Sequence, residues 1–208
     1  MKKLSLFLAA FLMAGVMYGQ FHIGPQIGYT ASQLSYKSSD ISTGLKSNMV
    51  IGVFLRLGNK IYIQPEVNYL TQGSVFKFPS LLGNTSFVEQ NVQLKTIQVP
   101  VSLGLQILDL KVVKLRIFGG ATANFVANKT IDPVTAAPKD YLQPDNFKDV
   151  NFQYQIGAGL DVLMFALDVK YYGGLSDLVN GNVTFDNKTQ AINAPSNVFM
   201  VTLGWKLL

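Results

Sequence analysis

The sequence predicts an all-β protein, an eight-stranded antiparallel up-and-down transmembrane β-barrel. Three observations lead there. About eight stretches alternate apolar and polar side chains with the period of a strand. Long polar links and very short links join them in strict turn, the rhythm of a barrel with short turns at one rim and longer loops at the other. The chain also opens on a segment of secretory type and contains no cysteine.

The opening segment comes first. Lys2 and Lys3 form a basic start, Leu4 to Val16 is apolar, and small Gly19 precedes Gln20. This is a signal-peptide pattern with cleavage expected after Gly19. The apolar run is too short for a membrane-spanning helix, which needs about 20 residues. Residues 1–19 are therefore assigned to the signal and 20–208 to one barrel domain. Loss of Lys2 and Lys3 lowers the formal charge from +5 to +3. The remaining basic residues are scattered, so no nucleic-acid stripe is expected. Without cysteine, disulfides, thiolate metal sites, cysteine nucleophiles and a lipidated N-terminal cysteine are excluded. A membrane-embedded chain with no later helix-length apolar run must close its sheet, because hydrocarbon cannot satisfy a free edge.

The first stretch sets Phe21, Ile23, Pro25, Ile27, Tyr29 and Ala31 against His22, Gly24, Gln26, Gly28 and Thr30. The second sets Met49, Ile51, Val53, Leu55 and Leu57 against Val50, Gly52, Phe54 and Arg56. After Gly58, the third sets Ile61, Ile63, Pro65, Val67 and Tyr69 against Tyr62, Gln64, Glu66, Asn68 and Leu70. The fourth, from Ile97 to Ile107, opposes its aliphatics to Gln98, Pro100, Ser102, Gly104 and Gln106. The fifth, from Leu115 to Phe125, carries Arg116, Phe118, Gly120, Thr122 and Asn124 on its second face. The sixth, from Phe152 to Val162, carries Gln153, Gln155, Gly157, Gly159 and Asp161. The seventh, from Leu163 to Tyr171, carries Met164, Ala166, Asp168, Lys170 and Tyr172. The last sets Phe199, Val201, Leu203, Trp205 and Leu207 against Val198, Met200, Thr202, Gly204 and Lys206.

Short turns are expected at Gly58–Lys60, Leu108–Lys114 and Val162–Leu163. Long polar loops are expected at Ser35–Ser47, Ser74–Asn91, Asn128–Asp149 and Ser176–Pro195. If the apolar faces meet lipid, the charged residues point into the bore. Eight strands leave just enough room for side chains to fill it. Arg56, Glu66, Arg116, Asp161, Asp168 and Lys170, with Lys206, are then expected to form a structural network of ion pairs and hydrogen bonds. Inward glycines leave space for larger neighbours. Pro25, Pro65 and Pro100 lie within strands, so each requires a bulge or a gap in the ladder. Phe21, Tyr29, Tyr62, Tyr69, Phe125, Phe152, Tyr171, Tyr172 and Trp205 are candidates for interfacial aromatic girdles.

Several segments resemble the outer-membrane β-barrel proteins abundant in Bacteroidetes, the porin-family or PorT-like barrels. Ile61 to Tyr69, with Pro65, Glu66 and Tyr69, resembles their third strand. Ile97 to Val101, with Pro100, resembles the fourth. Tyr171 to Asp177, with Gly174, Leu175 and Asp177, resembles the end of the seventh, and Leu203 to Leu207 the closing strand. The resemblance implies residence in the outer membrane and contact with its lipid and with the barrel-insertion machinery. It assigns no activity. Leu207 stands where such strands usually end in an aromatic.

No enzyme is expected. His22 is the single histidine, and no nucleophile, metal-ligand or nucleotide-loop pattern accompanies it. Glu66, Asp161 and Asp168 have Arg56, Arg116 and Lys170 as expected partners, which leaves no free acid–base pair. No cofactor is expected. Asn84, Asn128, Asn182 and Asn187 head N-glycosylation patterns, read here as chance occurrences in polar loops. The expected role is structural or interactive, with four outer loops presented to a protein partner. Leu81, Leu82, Phe87, Val88, Tyr141, Leu142 and Phe147 are their apolar handles. The alternatives are a porin for small solutes and a secreted lipocalin-like carrier with its apolar faces inward.

Overall fold

The computed structural model describes the backbone of residues 21–34, 42–44, 46–79, 87–131, 148–185 and 188–207, and the side chains of 21–31, 48–71, 93–130, 148–176 and 197–207. The signal segment, the handles Leu81, Leu82, Tyr141, Leu142 and Phe147, and the glycosylation patterns at Asn84 and Asn187 lie outside the described residues, as do the side chains of Phe87, Val88 and Asn182.

The strands are β1 (Phe21–Leu34), β2 (Ser42–Gly44), β3 (Lys46–Gly58), β4 (Ile61–Pro79), β5 (Phe87–Asp109), β6 (Val113–Ile131), β7 (Val150–Val162), β8 (Phe165–Gly174), β9 (Asp177–Phe185) and β10 (Lys188–Trp205). They pair antiparallel in the order β1-β3-β4-β5-β6-β7-β8-β10, and β10 returns to β1 to close the barrel. Eight strands form the wall. The short β2 pairs with β4 beyond it, and β9 pairs with the first half of β10. Among the described residues no helix is long and apolar enough to cross a membrane.

The short links fall where the sequence places them. Gly58 takes φ 113°, Lys111 φ 60° and Leu163 φ 53°, the left-handed values that tight hairpins require. Leu163 and Met164 are bracketed by the Val162–Phe165 pair, so Met164 is exposed despite its inward parity. In the β5–β6 turn, Asp109 accepts from the Gln106 side chain at 2.7 Å and from Lys111 N at 3.2 Å. The Gln106 bond leads the interactions that hold the Asp109 carboxyl below its ordinary range.

The long links need correction. Ser74–Asn91 is largely ladder, since β4 and β5 stay paired to Pro79 and Phe87. Ser176–Pro195 contains the β9–β10 hairpin. In Ser35–Ser47, β2 runs along β4 and β3 begins at Lys46, while in Asn128–Asp149 the strand β6 continues to Ile131. In sequence these extensions mix residues such as Val75, Phe76 and Phe78 with Ser74 and Lys77, without the sustained apolar/polar alternation that marks a one-sided strand.

The prolines behave as their missing N–H demands. The β3–β4 register runs to Phe54 opposite Glu66 and resumes at Leu57 opposite Ile63, so Pro65 sits at a gap. The β4–β5 register skips from Pro65 opposite Val101 to Asn68 opposite Gln98, so Pro100 sits at the next. Pro25 lies just past the end of the β1–β10 ladder.

Side chains alternate across the wall. Ile27, Ile51, Val67, Val101, Ile117, Ile156, Leu167 and Leu203 face outward and are exposed, whereas Gln26, Asn68, Gln98, Thr122, Gln155, Lys170 and Thr202 face inward and are buried. Tyr62 and Tyr172 correct the girdle expectation, for they are 2% and 0% exposed inside the bore. They share the inward parity of Glu66 on β4 and Lys170 on β8. Tyr29, Tyr69, Phe125, Phe152 and Phe199 remain outside near the long-loop end, while Phe165 and Trp205 pair near the short turns.

Inward glycines face the largest inward side chains across each ladder. Tyr62 lies opposite Gly104, Phe118 opposite Gly157 and Arg116 opposite Gly159. A Cβ on Gly104 would overlap the Tyr62 ring, whereas one on outward Gly119 would meet only ordinary contacts. Gly104→Ala should therefore lower stability by about 1–3 kcal/mol, the usual cost of overpacking. Gly119→Ala should change it by less than about 0.5 kcal/mol. Urea unfolding followed by fluorescence of the single tryptophan, Trp205, checks the contrast.

Candidate functional site

The bore is the one place where the described side chains concentrate chemistry. All six network residues expected from the sequence point into it and are at most 3% exposed. Strand order decides which of them meet. β3 and β7 lie four places apart in the ring of eight, and so do β4 and β8. Arg56 on β3 therefore reaches straight across the bore to Asp161 on β7, Nη1 to Oδ2 at 2.7 Å. Lys170 on β8 reaches across to Glu66 on β4, with Nζ 2.6 and 2.7 Å from its two oxygens. Arg116 joins these bridges. It donates from Nε to Asp161 at 2.9 Å, from Nη2 to Asp168 at 2.6 Å and from Nη1 to the Tyr62 hydroxyl at 3.1 Å.

Around this frame the remaining lone pairs are taken up. Glu66 accepts from Gln26 and Gln64 at 2.8 Å each and from Asn68 at 3.2 Å. Gln64 in turn accepts from Arg56 Nε at 2.7 Å. Lys206, part-buried near the short turns, donates to Asp161 at 3.2 Å. The Tyr62 ring lies near both guanidinium groups, its centroid 5.0 Å from Arg56 Cζ and 5.7 Å from Arg116 Cζ. Cation–π contact adds to the ion pairs where water is excluded.

The arrangement holds charge in place. Each inward carboxylate is bonded to at least one cation, and among the described residues no group of three His, Cys, Asp or Glu side chains could hold a metal ion. His22 is half-buried beside the short turns. The motif residues divide by face. Pro65 interrupts the ladder, Glu66 anchors Lys170, Tyr69 is exposed outside, and Pro100 is buried inside. Gly174 N donates to Asn197 Oδ1 at 3.3 Å, and Leu175 N to Phe152 O at 2.9 Å, which fixes the chain leaving β8. Asp177 opens β9, and its side chain lies outside the described ones.

Toward the long-loop end the bore becomes apolar. Val50, Leu70, Tyr172, Val198 and Met200 form a fully buried cluster there. Sequence reasoning placed these residues on the second faces but did not join them. Their signal is positional, because each shares the inward parity of the charged residues and lies nearer the long-loop end of its strand than they do.

The family model for the "Outer membrane protein beta-barrel domain" matches residues 12–180. Among solved structures, the chain is similar to the outer membrane protein OprG from Pseudomonas aeruginosa. Identity is 9%, 90% of this chain and 95% of that one are covered, and the TM-score is 0.54. It is also similar to Ail, the attachment invasion locus protein of Yersinia pestis, in complex with the heparin analogue sucrose octasulfate. Identity there is 12%, coverage 90% and 99%, and the TM-score 0.49. The likeness to OprG is one of fold. Comparison with curated proteins found no match.

Breaking one bridge should be costly and breaking both halves much less so. Lys170→Met leaves Glu66 charged and buried without its cation and should cost about 3–5 kcal/mol. Lys170→Met combined with Glu66→Gln should recover most of that loss. Urea unfolding of the three proteins in lipid vesicles measures the difference.

Proposed function

Because the chain belongs to the outer membrane protein beta-barrel domain family, as the match over residues 12–180 shows, we propose that it is a small integral outer-membrane barrel with a structural or interaction role. The observation that carries this reading is the filled bore. Arg56–Asp161 and Glu66–Lys170 bridge it from wall to wall, Arg116 and Tyr62 occupy the space beside them, and the apolar cluster lies beyond. Such packing supports a scaffold better than a conduit, since a porin needs a continuous wet path and eight strands leave little room for one. The outward apolar face is the reverse of what a lipocalin-like carrier requires.

The wall itself supplies a surface for contact. A strand needs about 9–11 residues to cross the hydrocarbon, yet β4, β5 and β6 have 19, 23 and 19 residues. Their excess, with the β9–β10 hairpin, carries the sheet past the bilayer at the long-loop rim. Exposed rims of this kind are where contacts accumulate on a rigid scaffold. In this reading the short turns face the periplasm, residues 1–19 are a cleaved signal, the barrel-insertion machinery delivers the chain, and the barrel is of the porin-family or PorT-like kind. It assigns no catalysis, no cofactor and no nucleic acid.

Planar-bilayer recordings test the proposal. The purified barrel should give no stepwise conductance above the bare bilayer at physiological salt. Reproducible channel steps that vanish on heat denaturation would overturn it in favour of a porin.

A further inference from the structure

The short-turn end of the bore contains a small cavity that the bridges do not fill. Its volume is about 20 Å³, and Arg56, Lys114, Arg116 and Lys206 line it together with His22 and Asp161. Four cations thus surround a space that offers a single carboxylate. Asp161 is already engaged by Arg56, Arg116 and Lys206, at 2.7, 2.6 and 3.2 Å. Arg56 is 3% exposed, and its Nη2 is buried with no hydrogen-bond partner among the described residues. Arginine and lysine only donate, so these groups call for an acceptor.

Charge selects the acceptor. Among the described residues of the bore, Arg56, Arg116, Lys170 and part-buried Lys206 face Glu66, Asp161 and Asp168, four cations against three carboxylates. Glu66 is committed to Lys170 and Asp168 to Arg116, so the surplus lies at the short-turn end. An uncompensated charge away from water is expensive, and a bound counter-charge removes the cost. Size narrows the choice further. A cavity needs roughly 10–15 Å³ by this measure to hold one water-sized particle, so this one suits a monatomic ion better than sulfate, phosphate or an organic acid.

We propose that this cavity is a halide site, filled by one chloride-sized anion that Arg56 Nη2, Lys206 and Lys114 hold. The bound ion completes the charge balance of the bore. Lys114 is the accessible member, a third exposed and paired outside the bore with Asp109 at 3.5 Å, which makes it the side from which the ion enters.

Chloride-35 NMR line widths on the barrel, purified in zwitterionic detergent and titrated with sodium chloride against a gluconate background, test the site. Folded protein should add a saturable line broadening that bromide competes away and sulfate does not. Lys206→Gln and Lys114→Gln should each bind chloride roughly tenfold more weakly, the loss of one charge-assisted contact. Both must still migrate as folded barrels on an unheated gel, and Lys114 lies outside the bridges, so at least one variant reports on binding alone. Broadening no greater than in the heat-unfolded protein would overturn the proposal. So would broadening that both variants keep, which would assign it to scattered surface lysines.

Discussion

Two ion pairs that cross the bore, Arg56–Asp161 and Glu66–Lys170, are the constraint on which the rest of the structure depends. Each joins strands four places apart in a ring of eight, so each is a diameter. A charge buried here is shielded from bulk solvent and is tolerable only when its partner arrives in register. Sliding any of these strands by one residue would turn its charge outward into lipid and its aliphatics inward. The bridges thus specify one closed barrel among the possible registers, whatever net stability they add.

The outer face places the complementary demand. Ile27, Ile51, Val67, Val101, Ile117 and Leu203 stand exposed, which in water would be a large aggregation surface. Against acyl chains it is the favourable state. The barrel is therefore inverted relative to a soluble one, with polar groups in the core and apolar groups on the surface. It is also graded along its axis. Arg56, Arg116, Asp161 and Lys206 gather near the short turns, the Glu66–Lys170 bridge lies in the middle among amides such as Gln26 and Asn68, and the cluster from Val50 to Met200 closes the long-loop side. Tyr29, Tyr69, Phe125, Phe152 and Phe199 decorate the outside at that same end.

Much of this was legible in the chain. Period-2 alternation places every network residue on the inward face, and the link rhythm separates the two rims. Partner choice was not legible, because Arg56 and Asp161 are 105 residues apart and meet only once strand order and closure are known. Tyr62 and Tyr172 were readable from their parity with Glu66 and Lys170 but were drawn toward the girdles by residue type. The extensions of β4, β5 and β10 escaped because they leave the one-sided environment that writes alternation into a strand. Pro65 and Pro100 gave the opposite lesson, since a missing N–H marks a ladder gap wherever the strand lies.

The central claim is the inversion of the wall, and a chain without cysteine is well suited to test it. Spin labels on single cysteines at positions 97, 98, 101, 102, 103 and 105 of β5, reconstituted in lipid vesicles, report their surroundings through collisions with oxygen and with a water-soluble nickel chelate. The account predicts high oxygen access at Ile97, Val101, Leu103 and Leu105, and low access to both reagents at Gln98 and Ser102. Strong nickel access at Gln98 and Ser102 would mean a water-filled bore. Oxygen access in the opposite phase would mean that the apolar face points inward, and either result would contradict the structure described here.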